Sequence, residues 1–156
     1  MEKQNFSAGL TDTDAPFNLC VRHGGMIYVS GLPPFDSEFS ARLAEARRKG
    51  QPLPPFPDIP FERQVRIVMD HMKALVEDAG SNMDCLLKVV VWLKDQRQAG
   101  EFDKIYRTYF SSKDTLPART RMQAGATPLG CGVEVDAIGY VPGYVPGYAP
   151  DQVAKK

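Results

Sequence analysis

Residues 85–93 read CLLKVVVWL, and this stretch decides the fold. A continuous apolar run rich in β-branched residues is typical of a central strand that is buried on both faces. Before it, residues 61–80 repeat apolar side chains at the i, i+3, i+4, i+7 spacing of an amphipathic helix, which we expect to end at Gly80. After it, residues 101–110, EFDKIYRTYF, predict a second, shorter amphipathic helix. The centre of the chain therefore reads as helix, strand, helix.

Further strands lie on both sides of this unit. Residues 19–30 predict a hairpin, LCVRH and MIYVS, around Gly24-Gly25, whose glycines we expect to supply the positive φ angles of a tight turn. Two more strands are predicted at about 118–124 and 132–141. This order favours an α+β fold in which two helices pack on one face of a mixed sheet. The other face would stay exposed unless subunits meet there, so we predict a homo-oligomer with the sheets turned inward.

Two segments fall outside this pattern. Residues 35–60 combine a short charged helical stretch with QPLPPFPDIP, in which five of ten residues are proline. We interpret them as an insertion packed on the body, with a lid or a subunit arm as the alternative. Residues 141–156 contain a VPGY repeat and predict a tail rich in Pro, Gly and Tyr. A single domain is therefore expected over residues 1–140.

Composition limits the possible functions. The chain has 156 residues, enough for one domain, and its 19 basic and 19 acidic residues give zero net charge, which argues against nucleic-acid binding. No apolar run suits a membrane span or a signal peptide, so we expect a cytoplasmic protein without a membrane partner. The three cysteines lack CxxC spacing and the two histidines lie far apart, which favours neither a disulfide framework nor a metal site. No cofactor is expected.

The charged residues of the last two strands are the candidates for chemistry. Arg119 and Arg121 lie two residues apart, so on a strand both project from the same face. Two like charges side by side are unfavourable without an anion near them, and guanidinium groups suit carboxylates. Glu134 and Asp136 share one face of the last strand. If the two strands are neighbours, these four charges can neutralise one another, so a structural ion-pair lattice and a substrate site both remain open.

At this point the sequence resembles the RidA/YjgF family of reactive-intermediate deaminases. The resemblance covers most of the chain and rests on Pro16-Phe17, Ser30-Gly31, FDKIYRTYF and, above all, PART followed by GVEVDAIG, whose glutamate stands fifteen residues after the arginine of PART. It implies a chorismate-mutase-like fold of the YjgF type, a homotrimer, and sites in clefts between subunits.

The resemblance also implies roles for individual residues. Arg119 would grip the carboxylate of a small imine or enamine acid, and Glu134 would position the attacking water, while the cleft would be lined by Gly31, Phe17 and Ser30. Hydrolysis would expel ammonia and leave a 2-oxo acid. Such a reaction needs no metal or cofactor, because a protonated imine is already electrophilic. We expect the pKa of Glu134 to be depressed by the two guanidiniums beside it.

Three departures from the family pattern bear on the substrate. Arg121 stands where many members carry a small residue, Asp103 stands where an asparagine is common, and residues 35–60 would enlarge or cover the cleft. A second arginine favours a dicarboxylate, such as a 2-aminomuconate-type product of aromatic ring cleavage, and makes Arg121 and Asp103 candidate substrate-binding residues. The alternative is a monocarboxylate such as 2-aminoacrylate, with Arg121 neutralised by Asp103 or Asp136.

Two other classes of function remain. One is a non-catalytic regulator that captures a small carboxylate in the same clefts, for which Arg119 would suffice without Glu134. The other is a ribonuclease, an activity reported for some members of the family. The zero net charge argues against the second class.

Overall fold

The structure, a computed structural model, describes residues 2–145. Within them the chain forms one six-stranded sheet and three α-helices. In chain order these are β1 (Gln4–Phe6), β2 (Cys20–His23), β3 (Met26–Leu32), α1 (Ser37–Arg48), α2 (Phe61–Asp78), β4 (Leu86–Leu93), α3 (Ala99–Tyr106), β5 (Ala118–Gln123) and β6 (Val133–Tyr140). The strand order is β1-β2-β3-β6-β4-β5, with β4 and β5 parallel and all other pairs antiparallel. The predicted α+β fold with a mixed sheet is confirmed, and β1 is an addition to it.

The helices follow the predicted apolar spacing. α2 buries one stripe, including Met69 and Met72, against the sheet, and Gly80 follows its end with a φ of 84°. α3 packs beside α2, burying Phe102. The charged stretch inside residues 35–60 forms α1, a third helix, whose Phe39 lies in a cluster with two further aromatic rings, Phe35 and Phe56.

The hairpin between β2 and β3 turns at Gly24-Gly25, but only Gly24 has a positive φ, of 61°. Gly25 is needed for space, because a Cβ there would lie 2.6 Å from a ring carbon of Tyr144. The expectation of two positive φ angles is therefore wrong. The ring of Tyr144, at the start of the predicted tail, lies over the turn; residues 146–156, including Tyr148, lie outside the described residues.

Strand β4 is central, as predicted, but it is fully buried on one face only. Val89, Val91 and Leu93 are buried under the helices, whereas the alternate residues Val90 and Trp92 are half-buried. The prediction of burial on both faces is wrong for the single chain, because the helices α2 and α3 cover one face. The apolar run has a second apolar face that residues 2–145 do not cover.

That second sheet face carries large exposed apolar side chains. Tyr28 is 46% exposed and pairs in register with Ile138, and Met122 and Tyr140 are each 40% exposed. A patch of this kind is typical of a surface that meets another protein. The homotrimer remains a prediction, and this face is where we expect its subunits to meet.

Several smaller features concern partners and cofactors. The cysteines are free and buried: Cys20, Cys85 and Cys131. Within residues 2–145, no group of three or more His, Cys, Asp or Glu side chains is arranged to hold a metal ion. In the same range, no helix has the length and apolar character needed to cross a membrane.

Candidate active site

Two arginines and one aspartate form the first part of the site. Asp103 on α3 lies between Arg119 and Arg121 on β5. Nη1 of Arg119 donates a hydrogen bond to Oδ1 of Asp103 at 2.8 Å, and Nη1 of Arg121 donates to both carboxylate oxygens at 3.0 Å. The three side chains are only 22–27% exposed. The anion that we expected near the two arginines is therefore supplied by Asp103.

Strand register and helix packing explain this arrangement. In the parallel β4–β5 pair, Arg119 lies opposite Val89 and Arg121 opposite Val91, so both arginines share the face that the helices cover. The guanidinium of Arg119 also lies 4.9 Å from the ring centre of Tyr106, one turn along α3 from Asp103. Cation–π attraction and the ion pair together fix this guanidinium.

The net charge of this cluster is positive. Burial alone would raise the pKa of Asp103, but the hydrogen bonds and charges of Arg119 and Arg121 outweigh it and hold that pKa below its ordinary value. Asp103 is thus a carboxylate at neutral pH, and two cations with one anion leave one unit of positive charge. Nε of Arg121 is buried and has no hydrogen-bond partner. The cluster has the charge to bind one further carboxylate.

Glu134 lies on the opposite face of the sheet from the cluster of Asp103, Arg119 and Arg121. Strand β4 separates β5 from β6, and Glu134 pairs with Trp92, whose side chain points to the face opposite that of Val91 and Arg121. Two strand spacings and three residues of rise put the Cα atoms of Arg119 and Glu134 roughly 14 Å apart. The condition set by the sequence, that β5 and β6 are neighbouring strands, is not met, and the four-charge lattice does not form within one chain.

The carboxylate of Glu134 packs against Gly31. Gly31 lies in an irregularity of β3 between Val29 and Leu32, and a Cβ at this position would be 2.2 Å from Oε1 of Glu134. Burial, with a smaller contribution from Asp136, raises the pKa of Glu134 above its ordinary value. The expectation of a depressed pKa is therefore wrong for the single chain, because the guanidiniums lie on the other face. A carboxylate with a raised pKa is a better proton acceptor.

Glu134 lines a cavity of about 560 Å³ at the end of β3. Strand β2 begins at Cys20, which pairs with Val29, so the last residues of β3 have no β2 neighbour beside them. The cavity lies there, and its walls come from the loop of residues 9–19 and from α1 and α2. Four residues proposed from the sequence meet there: Phe17, Ser30, Gly31 and Glu134. The other three, Asp103, Arg119 and Arg121, form their own cluster and do not line this cavity.

Within the cavity, Phe17 is 55% exposed, which leaves its ring available to a ligand. Ser30 has a different role. Its hydroxyl donates a hydrogen bond to the carbonyl of Asn18 at 2.7 Å, and its amide donates to the carbonyl of Leu19 at 2.9 Å. Ser30 therefore ties the end of β3 to the loop that forms the cavity wall.

Sequence reasoning missed two side chains of the cavity. Arg47 on α1 and His71 on α2 both line it. Arg47 is one of several charges in a helical stretch, and nothing in the sequence separates it from its exposed neighbour Arg48. His71 lies in the helical pattern of residues 61–80, which gives no sign that it reaches a cavity; it is half-buried, and burial lowers its pKa.

The chain is thus a small α+β protein with helices on one face of a mixed six-stranded sheet. Its candidate ligand site consists of a cavity bordered by Glu134 and Gly31 and of a separate paired-arginine cluster. The chain belongs to the family described as Endoribonuclease L-PSP, whose model matches residues 10–141. This is the YjgF/RidA/RutC family, so the resemblance seen in the motifs is confirmed.

Individual relatives agree with this assignment. A RutC family protein of Pyrococcus abyssi is 27% identical over 125 residues, which cover 80% of this chain and 86% of the relative. A crystal structure of a putative endoribonuclease L-PSP from Entamoeba histolytica is 28% identical, with a TM-score of 0.71 over 89% of this chain and 99% of that one. RidA from the Antarctic bacterium Psychrobacter sp. shares the fold, with 24% identity, a TM-score of 0.72, and coverage of 88% and 99%.

Proposed function

We propose that this protein is a hydrolytic deaminase that converts an imine or enamine carboxylic acid into a 2-oxo acid and ammonia. The observation that carries the proposal is the position of Glu134, a half-buried carboxylate that borders a cavity, with its pKa raised. It has no ion-pair partner within residues 2–145, so it is available to a water molecule. Deaminase chemistry is also what the RidA name of a structural relative suggests.

Each proton and bond of the reaction can be assigned. Glu134 accepts a proton from water as the water oxygen bonds to the carbon of the protonated imine, giving a neutral carbinolamine. The same proton then passes to the nitrogen, and the C–N bond breaks with its electron pair leaving on ammonia. The carbinolamine hydroxyl gives its own proton to Glu134 as the carbon becomes the carbonyl of the 2-oxo acid. An enamine substrate first takes a proton at carbon to become the imine. The protein supplies an oriented base and an oriented substrate.

We propose further that the arginine cluster holds the substrate carboxylate and reaches the cavity from a neighbouring subunit of a homotrimer. Arg119 and Glu134 project from opposite faces of one sheet, so one chain cannot bring them together. Strand β5 is at the sheet edge, where a neighbour can approach the arginines. The apolar face around Tyr28 and Ile138 gives a neighbouring subunit a surface on which to pack.

The charge of the cluster limits the substrate. Because Asp103 neutralises one guanidinium, Arg119 and Arg121 together suit one carboxylate. Arg121 therefore gives no reason to expect a second carboxylate on the substrate, and the 2-aminomuconate-type dicarboxylate needs another cation to support it.

The test is ammonia release from 2-imino acids generated in place by an amino-acid oxidase. Wild-type protein should accelerate hydrolysis above the spontaneous rate, and Arg119→Ala and Glu134→Gln should each lose that acceleration. Arg97→Ala is the matched control, because Arg97 is 90% exposed and its one ion pair within residues 2–145 is with Asp95. No acceleration by the wild type, with carboxylate binding retained in Glu134→Gln, would indicate a binding protein instead.

A ribonuclease is the second candidate, favoured by the description of the family model. The zero net charge gives little attraction to a polyanion. RNA degradation that Arg119→Ala abolishes would support this candidate, whereas degradation that is equal in both proteins would point to a contaminant.

A further inference from the structure

The cavity is larger than the smallest imino acids require. Its volume of about 560 Å³ falls in the range of pockets for drug-sized ligands, roughly 300–1,000 Å³. Most of its wall is apolar, formed by side chains such as Leu10, Phe17, Leu19, Leu32 and Phe35. A substrate held only by its imine and one carboxylate would leave most of this space to water.

Arg47 gives the cavity a cation at the wall that α1 forms. Ser40 and Arg47 are seven residues apart on α1, two helical turns, so both face the cavity. Nη1 of Arg47 donates a hydrogen bond to the backbone carbonyl of Thr13, which holds the guanidinium at this wall. Within residues 2–145 no carboxylate forms an ion pair with Arg47, and its remaining N–H groups are available to a ligand.

The charged side chains of the cavity determine where a bound carboxylate would lie. Arg47 is the cation among its described lining residues, since burial lowers the pKa of His71 and keeps that side chain neutral at pH 7. Glu134 is the anion. A ligand carboxylate is attracted to Arg47 and repelled by Glu134, so a bound carboxylate lies at the Arg47 side.

We propose that Arg47 binds a distal carboxylate of the substrate, so that the enzyme prefers dicarboxylic imines or enamines whose two carboxylates are joined by an apolar chain. This inference rests on the proposed function. The arginine cluster of the neighbouring subunit takes the carboxylate next to the imine, Glu134 directs water to the imine carbon, and the apolar wall covers the connecting chain. Arg47, which the sequence did not single out, takes the role first predicted for Arg121.

The first test measures binding and does not depend on catalysis. The probes are 2-oxoadipate and 2-oxohexanoate, product-like acids of equal chain length with and without a distal carboxylate, titrated calorimetrically into the full chain. Arg47→Gln should raise the Kd of 2-oxoadipate by about 10- to 100-fold, the effect of losing a charge-assisted hydrogen bond. It should change the Kd of 2-oxohexanoate by less than about 3-fold, within the scatter of such effects.

Two variants serve as controls. Arg48→Gln removes the same charge from the adjacent, exposed position and should leave both Kd values unchanged. Arg47→Lys keeps the charge and should recover part of the selectivity for 2-oxoadipate. If Arg47 serves only to tie α1 to Thr13, then Arg47→Gln will lower the melting temperature and weaken both probes equally, which would overturn the inference.

The second test separates this inference from the proposed function. Ammonia release is compared for 2-iminoadipate and 2-iminohexanoate, again generated by an oxidase. If Arg47→Gln loses the acceleration of ammonia release for 2-iminoadipate but keeps it for 2-iminohexanoate, both the deaminase function and the role of Arg47 are supported. If the protein accelerates hydrolysis of both substrates and Arg47→Gln changes neither rate, the inference about Arg47 is overturned but the proposed deaminase function is supported. No acceleration of either substrate, with Arg47-dependent binding of 2-oxoadipate, would overturn the deaminase and leave Arg47 as a carboxylate-binding residue.

Discussion

Substitution of Gly31 by alanine should remove activity while leaving the fold intact. An added Cβ would lie 2.2 Å from Oε1 and 2.9 Å from Cδ of Glu134. The backbone of Gly31 does not have a positive φ, so alanine fits the local conformation. The carboxylate of Glu134 is the end of a flexible side chain, and we expect it to move while the backbone stays in place.

The size of this effect follows from the contact distance. An ordinary carbon–oxygen contact is about 3.3 Å, so the carboxylate of Glu134 must move by about 1 Å. Misplacing a catalytic group by this distance lowers kcat/KM by about 100-fold. The unfolding free energy should change by less than about 1 kcal/mol, because the lower entropy of the unfolded chain offsets the strain on the side chain. The melting temperature should therefore shift by less than about 4 °C.

The assay pairs ammonia release with thermal unfolding on the same samples. Gly100→Ala is the matched control and should keep full activity. Apart from its chain neighbours and the backbone of its own helix, no atom of residues 2–145 lies within 4 Å of a Cβ at that position. Full activity in Gly31→Ala would refute the role of the Glu134 carboxylate position. A loss of activity that parallels a large fall in melting temperature would refute the separation between site and fold.

Three further predictions concern charge and assembly. Asp103→Asn should lower the unfolding free energy by about 2 kcal/mol, a value between those of exposed and of buried ion pairs. Folding lowers the pKa of Asp103, so the wild type should be the more stable protein above the ordinary Asp pKa. Urea titrations should show this difference in stability disappear as pH falls through the lower pKa of the folded state. The pKa of Glu134 is raised mainly by burial and, to a smaller extent, by the charge of Asp136. Asp136→Asn should therefore move the acidic limb of the pH profile of kcat/KM to lower pH, and a limb that does not move would contradict this. Ile138→Lys, on the exposed sheet face, should turn trimers into inactive monomers by light scattering, and an active trimer would argue against this interface.

The fold was accessible from the sequence because its signals are local. The apolar spacing of α2, the alternation in β6 and the Gly24 turn each depend on neighbours within a few residues, and all three appear in the structure. Strand order is different. Nothing in the residues of β5 or β6 reveals that β4 lies between them, because pairing depends on which hydrophobic surfaces meet in three dimensions.

The site was accessible only in part for the same reason. Arg119 and Arg121 were expected to share a face and need an anion, and one candidate, Asp103, proves to lie between them. The pKa of Glu134 was given the wrong direction, since it depends on which face the arginines occupy. Arg47 was missed, because its position in the cavity comes from how residues 35–60 fold against the loop that contains Thr13.

Subunit complementation tests the central claim most directly, namely that Arg119 and Glu134 act together across a subunit boundary. Arg119→Ala and Glu134→Gln chains, each inactive alone, are unfolded together in equal amounts, refolded, and assayed for ammonia release. If each site takes one residue from each of two subunits, random assembly restores both in about one quarter of the sites, and about one quarter of wild-type activity returns. If the mixture stays as inactive as its components while wild-type protein recovers full activity through the same cycle, the two residues do not form a shared site.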